Sequence, residues 1–364
     1  MAFMQSCWPR SETAQTIMTI DPQMQQGLAD CVFPGGVLLV HARGEIVFHR
    51  AYGMTSLQPD QKPMTCNTLF DLASLTKPLV TTAAILLLVQ SGALALSDPI
   101  AKHIPDFVGR WKAQVTLFHL LNHSSGLPAH RPYARALQAH DQAGLYACVH
   151  AEPLLTAPGT QSLYSDLGFM LLGELIERIS GETLDRFFDR RISQIAGCVS
   201  AGFCPDRTRM QIAATAAIHD TSIPCVHDEN ACVVGGVAGH AGLFATAEDT
   251  YRLARLWTDS IAGVGPFDAA LALQCVTRQK HIPTSTWGLG WDTPSRVGSS
   301  SGQCFSRDSF GHLGFTGTSL WVDRPRDLMV ILLTNRVYPD PENQKIKAFR
   351  PRLHDIVFKE VVGV

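Results

Sequence analysis

The sequence predicts a mixed α/β (α+β) protein, with one antiparallel sheet built from both chain ends, terminal helices flanking it, and an all-helical lobe inserted between. Three observations carry this. Short apolar runs of strand length lie near both termini, helical apolar spacing fills the middle, and Gly/Pro-containing pairs punctuate the segments.

In chain order, Asp21-Pro22 opens a short helix running to Asp30. Val37 to Val40 and Glu45 to Arg50 flank Ala-Arg-Gly and read as a β-hairpin. Thr68 to Ser91 is apolar and rich in helix formers. Helical patterns recur at Leu117 to Asn122, Leu167 to Ser180 and Thr246 to Ile261, separated by Ser125-Gly126, Pro158-Gly159 and Gly235-Gly236. Strands return near the C-terminus. Thr286 to Asp292 is one candidate, and Gly317 to Val322 with Leu328 to Thr334 flank a loop of hairpin length. A last helix spans Lys345 to about Val361. Residues 1–72 and 255–364 are thus expected to form one lobe and residues 73–254 the other, with the active site between them.

A chain of 364 residues, 46% hydrophobic, can bury a large core. The net charge is −2 and no block of like charge stands out, which argues against a nucleic-acid partner. The longest apolar run, Leu79 to Val89, is too short to span a bilayer and reads as a core helix. The first residues lack a basic stretch followed by an apolar one, so a cytoplasmic protein is expected. Ten scattered cysteines without a C-x-x-C pair read as reduced thiols.

The chemistry concentrates at Ser74-Leu-Thr-Lys77-Pro78. Pro78 is tolerated only near a helix start, which places Ser74 at the start of a Thr76–Val89 helix. The three-residue offset puts Ser74 and Lys77 on one face. A serine hydroxyl needs a neighbour to take its proton, and a buried lysine with a lowered pKa can do so. Alone, S-x-x-K is a weak signal, equally read as a capping serine and a solvated lysine.

Further elements follow in order. Tyr164-Ser-Asp166 precedes a helix, and Gly311-His312-Leu-Gly314-Phe-Thr-Gly317 opens the C-terminal strands. With Ser74-x-x-Lys77 they resemble the S-x-x-K, Y-x-N and K-T-G (or H-x-G) motifs of the penicillin-binding-protein and class C β-lactamase family and its esterase relatives. The phrases Leu117-Phe-His-Leu-Leu-Asn-His-Ser-Ser-Gly-Leu-Pro128, Ala157-Pro-Gly-Thr160 and Gly239-His-Ala-Gly-Leu-Phe-Ala-Thr246 match the family style, and the resemblance covers roughly residues 21 to 362. It implies the β-lactamase/DD-peptidase-like fold and a cofactor-free, metal-free serine hydrolase. Ser74 would be the nucleophile, and Lys77 and Tyr164 its proton-transfer partners. The backbone N–H groups of Ser74 and Phe315 would form the oxyanion hole.

The departures bear on substrate. Asp166 replaces the family's Asn; it would hold Lys77 charged if the two touch, or else simply favour a helix start. His312 and Leu313, ahead of Gly314, replace the lysine and threonine that bind a substrate carboxylate. Asp340 and Asn343 stand where the class C pattern has Asn and Arg. Arg336 could compensate: in a 312–322/328–336 hairpin it lies opposite Gly314 at the site's mouth. A small-molecule ester or amide is therefore expected as substrate, an ester first. A D-alanyl-D-alanine carboxypeptidase or related D-amino-acid peptidase is the alternative, followed by a weak β-lactamase or an acyltransferase. A peptide-binding or polymerising scaffold is the non-enzymatic alternative.

Other clusters carry less. His119 and His123 are four apart but lack the glutamate of H-E-x-x-H, and read as packed helix-end histidines rather than a metal site. His227-Asp228-Glu229 and His240 could rim the cleft, though a hydrogen-bonded loop is the simpler reading. No G-x-S-x-G elbow is present, and the glycines at 235, 236, 239 and 242 do not fit a nucleotide-binding spacing.

Overall fold

A computed structural model describes residues 19–57, 61–215 and 226–363. Cys7 and Cys225 lie outside them.

Strands β1 (Gly35–Ala42), β2 (Glu45–Gly53), β6 (Phe310–Leu313), β7 (Ser319–Asp323) and β8 (Leu328–Thr334) form one antiparallel sheet in the order β2-β1-β8-β7-β6. The chain ends meet in its middle, where Leu38 pairs with Leu332 and Leu332 with Ser319. Strands β1 and β8 are buried along their whole length. That explains their unbroken apolar runs, because both faces are covered.

Alternation assigns each residue its face. Leu38, Val40, Val330 and Leu332 join the helices α1 (Ile20–Ala29) and α11 (Ile346–Val362) in one core, with Met24, Phe349 and Leu353. Val37, Leu39, Ile331 and Leu333 face the opposite way into the larger core shared with the helical part. Each fully buried aliphatic side chain contributes about 1.5–3 kcal/mol.

The helical part comprises α2 (Ala83–Gln90), α3 (Leu117–Leu121), α4 (Gln142–Ala151), α5 (Asp166–Ser180), α6 (Leu184–Phe188), the single turn α7 (Gln194–Ala196), α8 (Glu229–Val233), α9 (Ala247–Ile261) and α10 (Ala269–Val276). A small second sheet, β3 (Phe70–Asp71), β4 (Gly202–Phe203) and β5 (Leu243–Ala245), is ordered β3-β5-β4. Two- and three-residue strands leave no periodic signal, so sequence inspection does not find them.

Three expectations change. Thr286 to Asp292 is no strand: Trp287 bridges Asp292 and Asp292 bridges Gly311, around a turn. The expected lobe boundary at 254/255 falls inside the continuous helix α9, which packs on β1 and β8. Cys66 is disulfide-bonded, against the reduced-thiol reading, while Cys31, Cys148, Cys198, Cys275 and Cys304 are free. The helical segment Ala73–Gln90 lies within the Thr68–Ser91 segment that the sequence marked. By length and composition alone it could cross a membrane, but 78% of it is buried inside the protein.

Helix α5 lies against the segment after α8 at two glycines. A Cβ on Gly239 would sit 2.2 Å from Phe169 O, and one on Gly173 would sit 2.9 Å from Gly239 N. Gly239→Ala is therefore expected to destabilise the protein by about 1–3 kcal/mol, the ordinary cost of overpacking, read as a lower urea midpoint at unchanged m-value.

Candidate active site

The chain from β3 into α2 is a tight turn followed by a loosened one. Residues Ala73–Leu75 form a 3₁₀ turn, and Lys77–Thr82 a π-helical stretch leading into α2. Pro78 supplies no N–H to the preceding turn, and Thr82 Oγ1 donates to Lys77 O at 2.9 Å. Ala73 has φ +48°, a left-handed conformation unusual for a residue with a Cβ. Asp71 holds it there. Its buried carboxylate accepts from Ala73 N–H (2.8 Å) and from His227 N–H (2.7 Å). Burial pushes the Asp71 carboxyl up to about 6, against the pull of these two donors.

Lys77 has no exposed side-chain surface. Its Nζ donates to Ser74 Oγ at 3.0 Å and to His240 O at 2.9 Å, and pairs with Asp166 Oδ1 at 2.7 Å. All three N–H groups of the ammonium are thus used. Burial alone would lower the Lys77 pKa, but the Asp166 carboxylate and Tyr164 outweigh it and the net shift is upward. This corrects the expectation of a lysine tuned toward neutrality. Asp166 fills both roles considered for it. It is the first residue of α5, behind Ser165, whose hydroxyl caps Gly168 N–H at 3.3 Å, and it is also the counter-ion of Lys77. Burial would raise its carboxyl; Lys77 and then His130 pull it far below the usual carboxylate range.

Tyr164 lies in hydrogen-bonding reach of both Lys77 and Ser74. Its ring stacks on Trp287 (centroids 5.4 Å apart) and tilts against His123 (4.6 Å) and His312 (6.0 Å). Burial raises its pKa by more than Lys77 lowers it, so the resting group is a phenol. His123 is a packed residue, but one that walls the site: its Nδ1 accepts from Ser165 N–H at 3.1 Å. His119 caps α3 through Thr116. Among the described residues no group of three His, Cys, Asp or Glu could hold a metal ion.

The segment after β6 closes over the nucleophile. Thr316 Oγ1 donates to Asp71 O at 2.7 Å and Thr318 Oγ1 to Leu72 O at 3.1 Å. A Cβ on Gly314 would lie 2.0 Å from Thr318 Oγ1 and 2.5 Å from Leu72 O, so only glycine lets the two backbones approach. These lashings bring the main chain of Phe315 to the turn that carries Ser74.

His312 is buried, and its Nδ1 lies 2.8 Å from Leu313 O. A carbonyl only accepts, so Nδ1 carries the hydrogen and Nε2 presents a lone pair, with no partner among the described residues. Burial, then Lys77, pushes its pKa down to about 3, leaving it neutral. Leu313 packs against the α1/α11 core.

Arg336 is not a free cation at the mouth. Strand β7 lies between β6 and β8, so the assumed direct pairing with Gly314 does not occur. The guanidinium is buried and donates to the carbonyls of Pro341 (2.8 Å), Asn343 (2.7 Å) and Phe315. Asn343 donates to Cys31 O and Val32 O, and the exposed Asp340 accepts from Glu342 N–H in its own loop. Arg336 and Asn343 thus spend their donors on main-chain carbonyls of the protein.

Sequence reasoning missed Trp287, which sat in the supposed strand, and His130, whose Nδ1 is 3.5 Å from Asp166 Oδ2. A lone histidine in a loop gives no pattern to find. The 227–240 cluster is both a hydrogen-bonded loop and a rim. His240 Nε2 and Asp228 Oδ1 are 2.8 Å apart, and His240 O receives Lys77.

The family model described as Beta-lactamase matches residues 20–352. A putative D-alanyl-D-alanine carboxypeptidase of Escherichia coli K12 is 31% identical over 357 residues, covering 87% of this chain and 82% of the relative. One from Salmonella agona is 30% identical, covering 92% and 85%. Among solved structures, EstCE1, a hydrolase with promiscuous acyltransferase activity, superposes with TM-score 0.74 at 21% identity, covering 94% of this chain and all of that one. The octameric penicillin-binding protein homologue from Pyrococcus abyssi gives 0.75 at 20% identity, covering 96% and 78%. With a family match over nearly its whole length, this chain belongs to the β-lactamase family of serine hydrolases.

Proposed function

We propose that the protein is a carboxylic-ester hydrolase that forms an acyl-enzyme on Ser74. The observation that carries this is the fully buried Lys77 Nζ at 3.0 Å from Ser74 Oγ, with Tyr164 in reach of both. The resting pair is fully protonated, so it must first release one proton to solvent; Ser74 Oγ then attacks the ester carbonyl as its own proton passes to the Lys77–Tyr164 pair. The carbonyl oxygen takes the negative charge and is met by the N–H groups of Ser74 and Phe315. The C–O bond to the alcohol breaks and the alkoxide takes the proton. Water then gives a proton to the same pair and attacks the acyl carbon. The bond to Oγ breaks, and Ser74 regains its hydrogen.

The substrate reading rests on charge. A neutral His312, an apolar Leu313 and an Arg336 already bound to three carbonyls supply no cation for a substrate carboxylate. A neutral ester needs none. The second reading, a D-alanyl-D-alanine carboxypeptidase, is favoured by the names of the relatives.

Three outcomes test the proposal. Ser74→Ala is expected to lose turnover by several orders of magnitude, together with the covalent adduct of a fluorophosphonate probe read by intact-protein mass spectrometry. Persisting activity would overturn the assignment. Asp166→Asn removes the charge that raises the Lys77 pKa, so the proton-accepting form is reached at lower pH. The ascending limb of kcat/KM is expected to move toward acid by about one pH unit or more. Last, a charge-assisted hydrogen bond is worth about 1.5–3 kcal/mol, so with two missing, kcat/KM on penicillin should fall at least about 100-fold below that on p-nitrophenyl butyrate. Efficient cleavage of penicillin or a D-Ala-D-Ala peptide would promote the second reading.

A further inference from the structure

Asp166 uses both carboxylate oxygens. Oδ1 holds Lys77, while Oδ2 faces His130 Nδ1 at 3.5 Å. Exposure rises along this row: 0% for the Lys77 side chain, 17% for Asp166 and 50% for His130. His130 is the solvent-side end of a chain of polar groups that begins at Ser74 Oγ.

The loop carrying His130 is fastened on both sides. Asp166 N–H donates to Ala129 O at 2.9 Å, and Ser165 Oγ to Pro128 O at 2.6 Å. Beyond it, Asn230 accepts from Ala134 N–H at 3.0 Å and donates to Arg131 O at 2.8 Å. The charged groups facing the imidazole are the carboxylates of Asp166, Asp228 and Glu229. Behind Asp166 stand Lys77 and the His240 ring. Neighbouring Arg131 is paired with Glu152. The bond to Asp166 raises the His130 pKa above its ordinary value, with burial opposing.

We propose that His130 is a positioning residue for proton release at Ser74, sharing Asp166 with Lys77 so that a proton on His130 weakens the hold of Asp166 on the Lys77 ammonium. This rests on the proposed roles of Ser74, Lys77 and Tyr164. The only bond exchanged is an N–H: His130 takes a proton from hydronium in the solvent, and one carboxylate then faces two cations. In that state Lys77 and Tyr164 give up a proton more readily, because the charge that raises both their pKa values is shared. With His130 neutral, Lys77 has Asp166 to itself. The effect is therefore present below the His130 pKa and fades above it.

The test is the pH dependence of a ratio. On p-nitrophenyl butyrate, read at the isosbestic wavelength of the product, kcat/KM of the wild type over His130→Gln should be about 3- to 30-fold at pH 5.5–6 and should fall toward 1 near pH 9. His130→Arg keeps a cation at every pH. It should match the wild type at pH 6 and exceed it near pH 9 by a similar factor. A ratio that stays constant across pH, or an arginine variant that behaves like the glutamine one, overturns the proposal. Fluorophosphonate labelling separates the two failures. If Ser74→Ala still turns over or labels, the acyl-enzyme reading has failed; if labelling depends on Ser74 and the ratio is flat, only the role of His130 has.

Discussion

The fully buried ammonium of Lys77 is the constraint around which the site is organised. Removing a charge from water costs several kcal/mol unless it is paired and hydrogen-bonded. Here each N–H has an acceptor from a different part of the chain: Ser74 Oγ one turn back, Asp166 Oδ1 at the start of α5, and His240 O between α8 and β5. Each partner must therefore be delivered by its own element. The Gly173–Gly239 contact brings the His240 segment against α5, and the Ser165 cap fixes where Asp166 begins the helix. A cost incurred at one atom thus dictates the packing of three segments.

Asp71 imposes a similar discipline on the other side of the nucleophile. Its carboxylate holds the left-handed Ala73 and the His227 backbone, while its carbonyl receives Thr316. The nucleophile turn, the 227–240 rim and the segment that carries Phe315 are therefore joined through one residue. An acyl-transfer site needs this rigidity. Main-chain donors aimed at a developing oxyanion act only if they are positioned before the reaction begins.

The groups that would recognise a carboxylate are present in outline but reassigned. Arg336 has turned its donors inward to the loop that follows β8 and to Phe315 O, so it supports the main chain around Phe315. His312 offers a lone pair where the family pattern has an ammonium. An aromatic wall of Trp287, Tyr164 and His123 faces the same space. The family relationship gives a serine hydrolase, and under the proposed function the local partners of a few side chains would set the charge that the site accepts.

The sequence by itself determined the sheet formed from both ends and the helical insertion, and it singled out Ser74, Lys77 and Tyr164, which the fold brings together. Period-2 and helical apolar patterns are local, and three ordered motifs are specific together where each is weak alone. Tertiary structure decided the rest. Whether Asp166 merely begins a helix or also binds Lys77 depends on a side chain far away in the sequence, and it does both. Arg336 faced two environments that a sequence cannot tell apart, a substrate and a set of backbone carbonyls, and hairpin counting failed because β7 intervenes between β6 and β8. The protonation state of Lys77 was misjudged because an apolar neighbourhood pushes a lysine pKa down, while the Asp166 carboxylate at 2.7 Å and Tyr164 together outweigh it. Burial is written in the apolar pattern; the partner of a buried charge is chosen only when distant segments meet.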